Sequence, residues 1–145
     1  YCDFISFANK EDKIEQYIKQ LKEEINQERL EQYKITTIYI GGGTPSFIKS
    51  KDIVEILKLI NKEDTEEIII EINPGTVTKE KLQDYYNAGI NRLSIGLQST
   101  DNNILKQIGR IHTYEQFLET YNLARDVGFT NINIDLMIGL PNFQI

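Results

Sequence analysis

The chain has 145 residues, 40% of them hydrophobic, enough to bury one sizeable core as one domain or part of a larger one. A formal net charge of -6 leaves no basic patch to neutralise phosphates, so nucleic acid is not expected as a partner. No apolar run reaches the roughly 18 residues needed to cross a bilayer, and the single cysteine makes no internal disulfide; a soluble, cytoplasmic protein with no transmembrane segment is expected.

From the N-terminus, residues 11–33 place Ile14, Tyr17, Ile18, Leu21 and Ile25 on one stripe among charges, which predicts an amphipathic helix. The period then drops to two. "ITTIYIGGG", "EEIIIEINP", "NRLSIGLQS" and "NINIDLMIGLP" are rich in β-branched residues and end in glycine, proline or small polar residues, the pattern of strands. Helical patterns fall between them near 50–61, 78–88 and 114–127, with a short one near 101–107. Thr78 is placed to cap the helix at 78–88, with a Val77 to Leu82 staple, and Thr113 with Gln116 forms a capping box for the helix at 114–127. Gly89 and Gly128 sit where helix C-terminal glycines belong. Strand and helix in repetition imply a parallel sheet with crossover helices. An internal repeat agrees: "GINRLSIGL" and "GFTNINIDL" both carry a glycine that ends a helix and feeds a strand.

Strand parity separates two architectures. A sheet covered on both faces reads as nearly continuous apolar runs, whereas here Ile132, Ile134, Leu136 and Ile138 oppose Asn131, Asn133, Asp135 and Met137. Leu93, Ile95 and Leu97 likewise oppose Ser94, Gly96 and Gln98. The apolar set is expected to meet the helices. The other face, with Tyr39, Gly41, Glu71, Asn73, Gln98 and Asp135, is expected to line a partly polar interior, as in a barrel that holds a ligand. An open sheet with one wet face is the alternative.

The unusual residues gather at the carboxyl ends of the strands, where βα barrels carry their sites. "GGGTPS" follows the first strand, Glu71 and "NPGT" the second, Gln98 ends the third and Asp135 lies late in the fourth. Three glycines in a row let backbone amides and carbonyls approach a small polar ligand; a tight strand-to-helix turn is the plainer reading. The loop lacks the lysine of a phosphate-binding P-loop. Cys2, taken alone, reads either as a small buried hydrophobe or as a metal ligand. His112, the one histidine, is assigned to the turn before Thr113 rather than to a metal site.

The chain starts at Tyr1 without a methionine, which suggests a piece of a longer protein, and "YCDF" resembles the end of the radical S-adenosylmethionine signature Cys-x-x-x-Cys-x-aromatic-Cys. "IYIGGGTPS", "IEINPGT", "GINRLSIGLQS", "IGRIHT" and "GFTNINIDLMIGLP" follow in the order seen in the family of oxygen-independent coproporphyrinogen III oxidases and HemW-type heme chaperones. The resemblance runs from Tyr1 to about Pro141. It implies an α/β fold, a partial (β/α)6 TIM-like barrel of the radical S-adenosylmethionine core over residues 1–145. The first strand, two cluster cysteines and the C-terminal region are expected to lie outside this stretch.

The resemblance also implies ligands. Three thiolates hold a [4Fe-4S] cluster whose open iron chelates S-adenosylmethionine; Cys2 matches the third thiolate and Tyr1 the aromatic position that contacts S-adenosylmethionine. Gly42, Gly43 and Thr44 match the backbone loop that approaches its methionyl ammonium and carboxylate. Glu71 matches the carboxylate near the first S-adenosylmethionine, while Gln98, Arg110 and Asp135 match residues around a second one in the oxidase branch. From the residues alone, Arg110 could be a surface ion pair and Asp135 a strand-end cap.

In the family an electron from the cluster splits S-adenosylmethionine into methionine and a 5'-deoxyadenosyl radical. The oxidase branch uses that radical to decarboxylate a porphyrinogen propionate; the chaperone branch binds heme as cargo and delivers it to acceptor hemoproteins. Cys2-Asp3-Phe4 lacks the further cysteine of the oxidase branch, which favours a heme chaperone over an oxidase. "GLPNFQI" departs from the family's usual "GLP-x-Q-T".

Overall fold

The computed structural model describes residues 10–140. Tyr1, Cys2, the Cys2-Asp3-Phe4 step and the departure after Pro141 lie outside them.

A short 3-10 turn at Glu11–Lys13 leads into helix α1, Ile14–Gln27. The helix expected to run to residue 33 stops after Gln27: Glu28 is extended, with ψ 135°, and a separate 3-10 turn occupies Leu30–Gln32. The apolar stripe ends at Ile25, and no further buried face remains to hold the helix together. Ile18 is its buried residue, and Lys22 ties the helix to Glu55. The sheet begins with β1, Thr37–Ile40, followed by a 3-10 turn at Pro45–Phe47 and α2, Ser50–Lys58. Next come β2 (Glu67–Ile72), α3 (Lys79–Asn87), β3 (Arg92–Gln98), α4 (Asn102–Gln107), α5 (Tyr114–Val127) and β4 (Asn131–Leu136).

The predicted caps are in place. Thr78 accepts from Lys81 N, and the capping box of Thr113 and Gln116 is complete, with both reciprocal bonds formed. Gly89 and Gly128 leave their helices at φ +96° and +119°, where an L side chain is strained.

All four strands are parallel and stand in the order β1-β2-β3-β4. Ile68, Ile70 and Ile72 of β2 and Leu93, Ile95 and Leu97 of β3 point into one core with Ile53, Leu57, Leu82, Tyr85, Phe117, Ala124 and Phe129 from the helices. Val77 and Leu82 both enter this core, as the staple required. The expectation that alternate apolar positions meet the helices therefore holds for β2 and β3. It fails along most of β4: Ile132 packs against the core, but Ile134 is 38% exposed, Leu136 63% and Ile138 90%. These apolar side chains have no helix over them among the described residues. No helix there is long and apolar enough to cross a membrane.

Candidate functional site at the carboxyl ends of the strands

The sheet face away from the helices carries the polar positions of every strand. Parallel register sets Glu71 beside Ser94, Ser94 beside Asn133, and Gly96 beside Asp135. Tyr39 donates its hydroxyl to Glu71 Oε1 across β1 and β2. That bond to a carboxylate, then partial burial and the charges of Glu71 and Asp135, push the phenol up to about 12. A side chain at Gly41 would displace Tyr39, because a Cβ would stand 2.4 Å from Tyr39 Cε1 and 3.1 Å from Glu71 Oε1. Ser94 Oγ donates to Asp135 Oδ2 at 3.1 Å, and Asn133 Nδ2 donates to Asp135 Oδ1 at 2.6 Å. Asp135 thus stands on the polar face, held by its neighbours, rather than capping a strand end.

The glycine loop is stapled to the "NPGT" turn by small polar side chains. Thr44 Oγ1 donates to Gly43 O at 2.8 Å and accepts from Asn73 Nδ2 at 3.0 Å. Ser46 is fully buried; its Oγ accepts from Asn73 N at 3.1 Å and lies 2.6 Å from Thr76 Oγ1. Since Thr76 spends its own hydrogen on Asn73 O at 2.7 Å, Ser46 is the donor in that pair. Lys81 adds its ammonium to the carbonyls of Ser46 and Thr76, and burial holds its pKa below the usual lysine range. Gly42 has φ +99° with open space where a Cβ would stand. The space beside its Cα is open, at a conformation glycine adopts without strain.

Arg110 reaches back from the end of the α4 segment to the same place. Its Nη2 donates to Asn73 Oδ1 at 2.8 Å and to Gly96 O at 2.9 Å. Gln98 lies beside it: its φ is +70°, and Ser99 N donates to Leu97 O at 2.9 Å, which together define a γ-turn of the rare positive-φ kind. The sheet register slips between Gly96 and Gln98, and Met137 N donates to Gln98 O at 3.0 Å. His112, only 4% exposed, supports the same turn from beneath, with Nε2 3.2 Å from Leu97 O. Burial first, and then the charge of Arg110, lower its pKa, so the ring is neutral and Nε2 donates. As expected it serves the chain before Thr113, but as a buried anchor.

The structure therefore brings Gly42, Gly43, Thr44, Glu71, Gln98, Arg110 and Asp135 to one end and one face of the sheet. Asn73, Ser46, Thr76 and His112 join them. Sequence reasoning put Asn73 on the polar face but assigned it no role; the signal for the others was their place in "GGGTPS", "NPGT" and "IGRIHT". Carboxylates, a guanidinium and glycine-loop backbone on one surface suit a small ligand that carries both an ammonium and a carboxylate. Among the described residues no group of three His, Cys, Asp or Glu could hold a metal ion. A cluster would have to rest on Cys2 and groups outside them.

The chain is 42% identical to the heme chaperone HemW of Haemophilus influenzae and 34% identical to that of Bacillus subtilis, over 98% and 97% of its length. It spans about two fifths of those relatives, 40% and 39%. The solved structure of coproporphyrinogen III oxidase (HemN) from Escherichia coli, described as a radical SAM enzyme, superposes on 98% of the chain and 34% of its own, with a TM-score of 0.82 and 30% identity. That match identifies the four strands and their helices as part of the TIM-like radical SAM fold. The model of the Radical SAM superfamily matches residues 1–144, and the chain belongs to that superfamily.

Proposed function

We propose that this chain carries the S-adenosylmethionine-binding face of a radical SAM heme chaperone, with heme as its cargo, hemoproteins as its acceptors and the cytoplasm as its location. The observation that carries the ligand assignment is the convergence of the open Gly42 backbone, Glu71 and Arg110 on one sheet face. The residues fit the molecule: glycine-loop carbonyls accept from its ammonium, Arg110 and loop amides donate to a carboxylate, and Glu71 accepts from ribose hydroxyls or the adenine amine. Gln98 and Asp135 extend the same face. Cys2 would be one thiolate of a [4Fe-4S] cluster, with Tyr1 beside it. When bound, the cluster and S-adenosylmethionine together supply one-electron cleavage chemistry. The chain's own part is to hold the ligand's polar groups and to keep the Tyr39 phenol protonated beside Glu71.

Support for a chaperone rather than a porphyrinogen oxidase comes from the absence of a second cysteine after Cys2 and from the names of the two HemW relatives above. The full-length protein, reconstituted with its cluster and incubated anaerobically with S-adenosylmethionine, should transfer bound heme to an apo-hemoprotein and should not convert coproporphyrinogen III to protoporphyrinogen. Catalytic decarboxylation would reject the chaperone reading. Cys2→Ala should lose iron, while Glu71→Ala should keep it and weaken S-adenosylmethionine binding by about 1 to 3 kcal/mol; equal iron loss in both would overturn the division of roles.

A further inference from the structure

We infer that Asn73 is a positioning residue whose carboxamide couples the glycine loop to Arg110, so that the two arms of the ligand face are set together. The inference deepens the proposed function and rests on it for the identity of the ligand, but not for the coupling itself. Arg110 has no acceptor, so the carboxamide oxygen must face it, at 2.8 Å from Nη2. The carboxamide nitrogen is then turned to Thr44 Oγ1 at 3.0 Å. Thr44 has spent its own hydrogen on Gly43 O, and offers Asn73 a lone pair. The bonds thus run in one direction, from Arg110 into the amide oxygen, and from the amide nitrogen through Thr44 to the Gly43 carbonyl. The Asn73 backbone is fixed as well, its N–H on Ser46 and its carbonyl under Thr76.

Only a side chain with an acceptor on one side and a donor on the other joins these two arms and leaves the Thr44 hydrogen on Gly43 O. A carboxylate of the same shape keeps Arg110 and has no hydrogen for Thr44. The threonine hydroxyl then turns to the carboxylate, and Gly43 O loses its partner. A leucine of similar size loses both arms. A residue that merely filled space would treat the two substitutions alike.

The experiment measures nitrogen-15 order parameters in the ligand-free full-length protein, together with equilibrium binding of S-adenosylmethionine to the same protein reconstituted with its cluster. In Asn73→Asp, the amides of Gly42 and Gly43 should fall from about 0.85 toward 0.6 while the Arg110 side chain stays ordered. Asn73→Leu should loosen both, and Thr44→Val, which leaves the Arg110 contact untouched, should reproduce the Asn73→Asp pattern in the loop. S-adenosylmethionine should bind about tenfold more weakly to Asn73→Asp, the scale of one lost hydrogen bond. If the glycine amides stay rigid in both Asn73→Asp and Thr44→Val, the coupling is wrong. If they loosen as expected while the wild-type protein fails to bind S-adenosylmethionine, the coupling stands and the ligand reading falls.

Discussion

Gly96 and Arg110 share a space that one methyl group would fill. A Cβ on Gly96 would stand 3.2 Å from Arg110 Nη2, 2.9 Å from Gln98 Nε2 and 3.4 Å from Asn73 Oδ1, while its own carbonyl receives the Arg110 guanidinium at 2.9 Å. Each of those neighbours is the far end of a flexible side chain, and Gly96 is not at positive φ. Gly96→Ala should therefore unfold within about 1 kcal/mol of the wild type and yet bind S-adenosylmethionine about tenfold more weakly, because the Gln98 amide must move aside and the Arg110 guanidinium must give by a few tenths of an ångström. Urea unfolding and calorimetric titration separate the two effects.

Tyr39 supplies a spectroscopic test of the polar face. Its phenol is raised to about 12 chiefly because the Glu71 carboxylate accepts its hydrogen. A tyrosine whose pKa is higher folded than unfolded contributes stability below about 10, and that contribution fades as pH rises through the folded value. In an ultraviolet titration, Tyr39→Phe should remove a late-titrating tyrosine, and Glu71→Gln should return Tyr39 toward the ordinary range. An unchanged curve in Glu71→Gln would show that the carboxylate is not the cause.

Gln98 holds φ +70° without being glycine. Such a backbone stores about 1 to 3 kcal/mol of strain, part of which glycine would return, less its own greater freedom in the unfolded chain. Gln98→Gly is expected to stabilise the fold by about 1 kcal/mol while weakening S-adenosylmethionine binding, and Gln98→Ala to weaken binding without the gain in stability. Denaturant midpoints for the pair are the check; a destabilised Gln98→Gly would mean that the turn is not strained.

His112 gives the pH dependence its sign. Burial and the neighbouring Arg110 charge lower its pKa in the folded chain, so the unfolded chain takes up a proton first as pH falls below about 6.5. Stability attributable to His112 is full above that pH and drains away below it. His112→Gln, which keeps a donor for Leu97 O, should flatten the stability profile below about pH 6.5. Thermal melts of both proteins across that range measure the difference.

The architecture was largely legible because it is periodic. Thr78, Thr113, Gly89 and Gly128 mark helix ends by local chemistry, and the alternation along β2 and β3 assigned each residue its face. The first helix was read too long because charges beyond Ile25 carry no stripe and the sequence alone does not show where the core stops. Exposure of Ile134 and Leu136 was equally invisible, since parity names a face without saying what covers it. In the site, the glycine loop and the acidic and amide positions stood out by composition. The bonds among them did not: Arg110 meets Asn73 across 37 residues, and the γ-turn at Gln98 depends on a ring buried 14 residues later. Contacts of that kind leave no repeating mark in a linear pattern.

The order of the strands has a consequence for how the molecule is made. Among the described residues each strand after β1 is hydrogen-bonded to the one before it, with Thr37 opposite Glu67, Ile69 opposite Arg92 and Arg92 opposite Asn131. None of these four waits for a neighbour synthesised two units later. A chain leaving the ribosome N-terminus first can add each βα unit to an edge already formed, and the loop to be closed at each addition is only one crossover long. Assembly of the polar face follows the same schedule: the glycine loop is made first, Asn73 next, Arg110 then finds its acceptors in place, and Asp135 follows with β4.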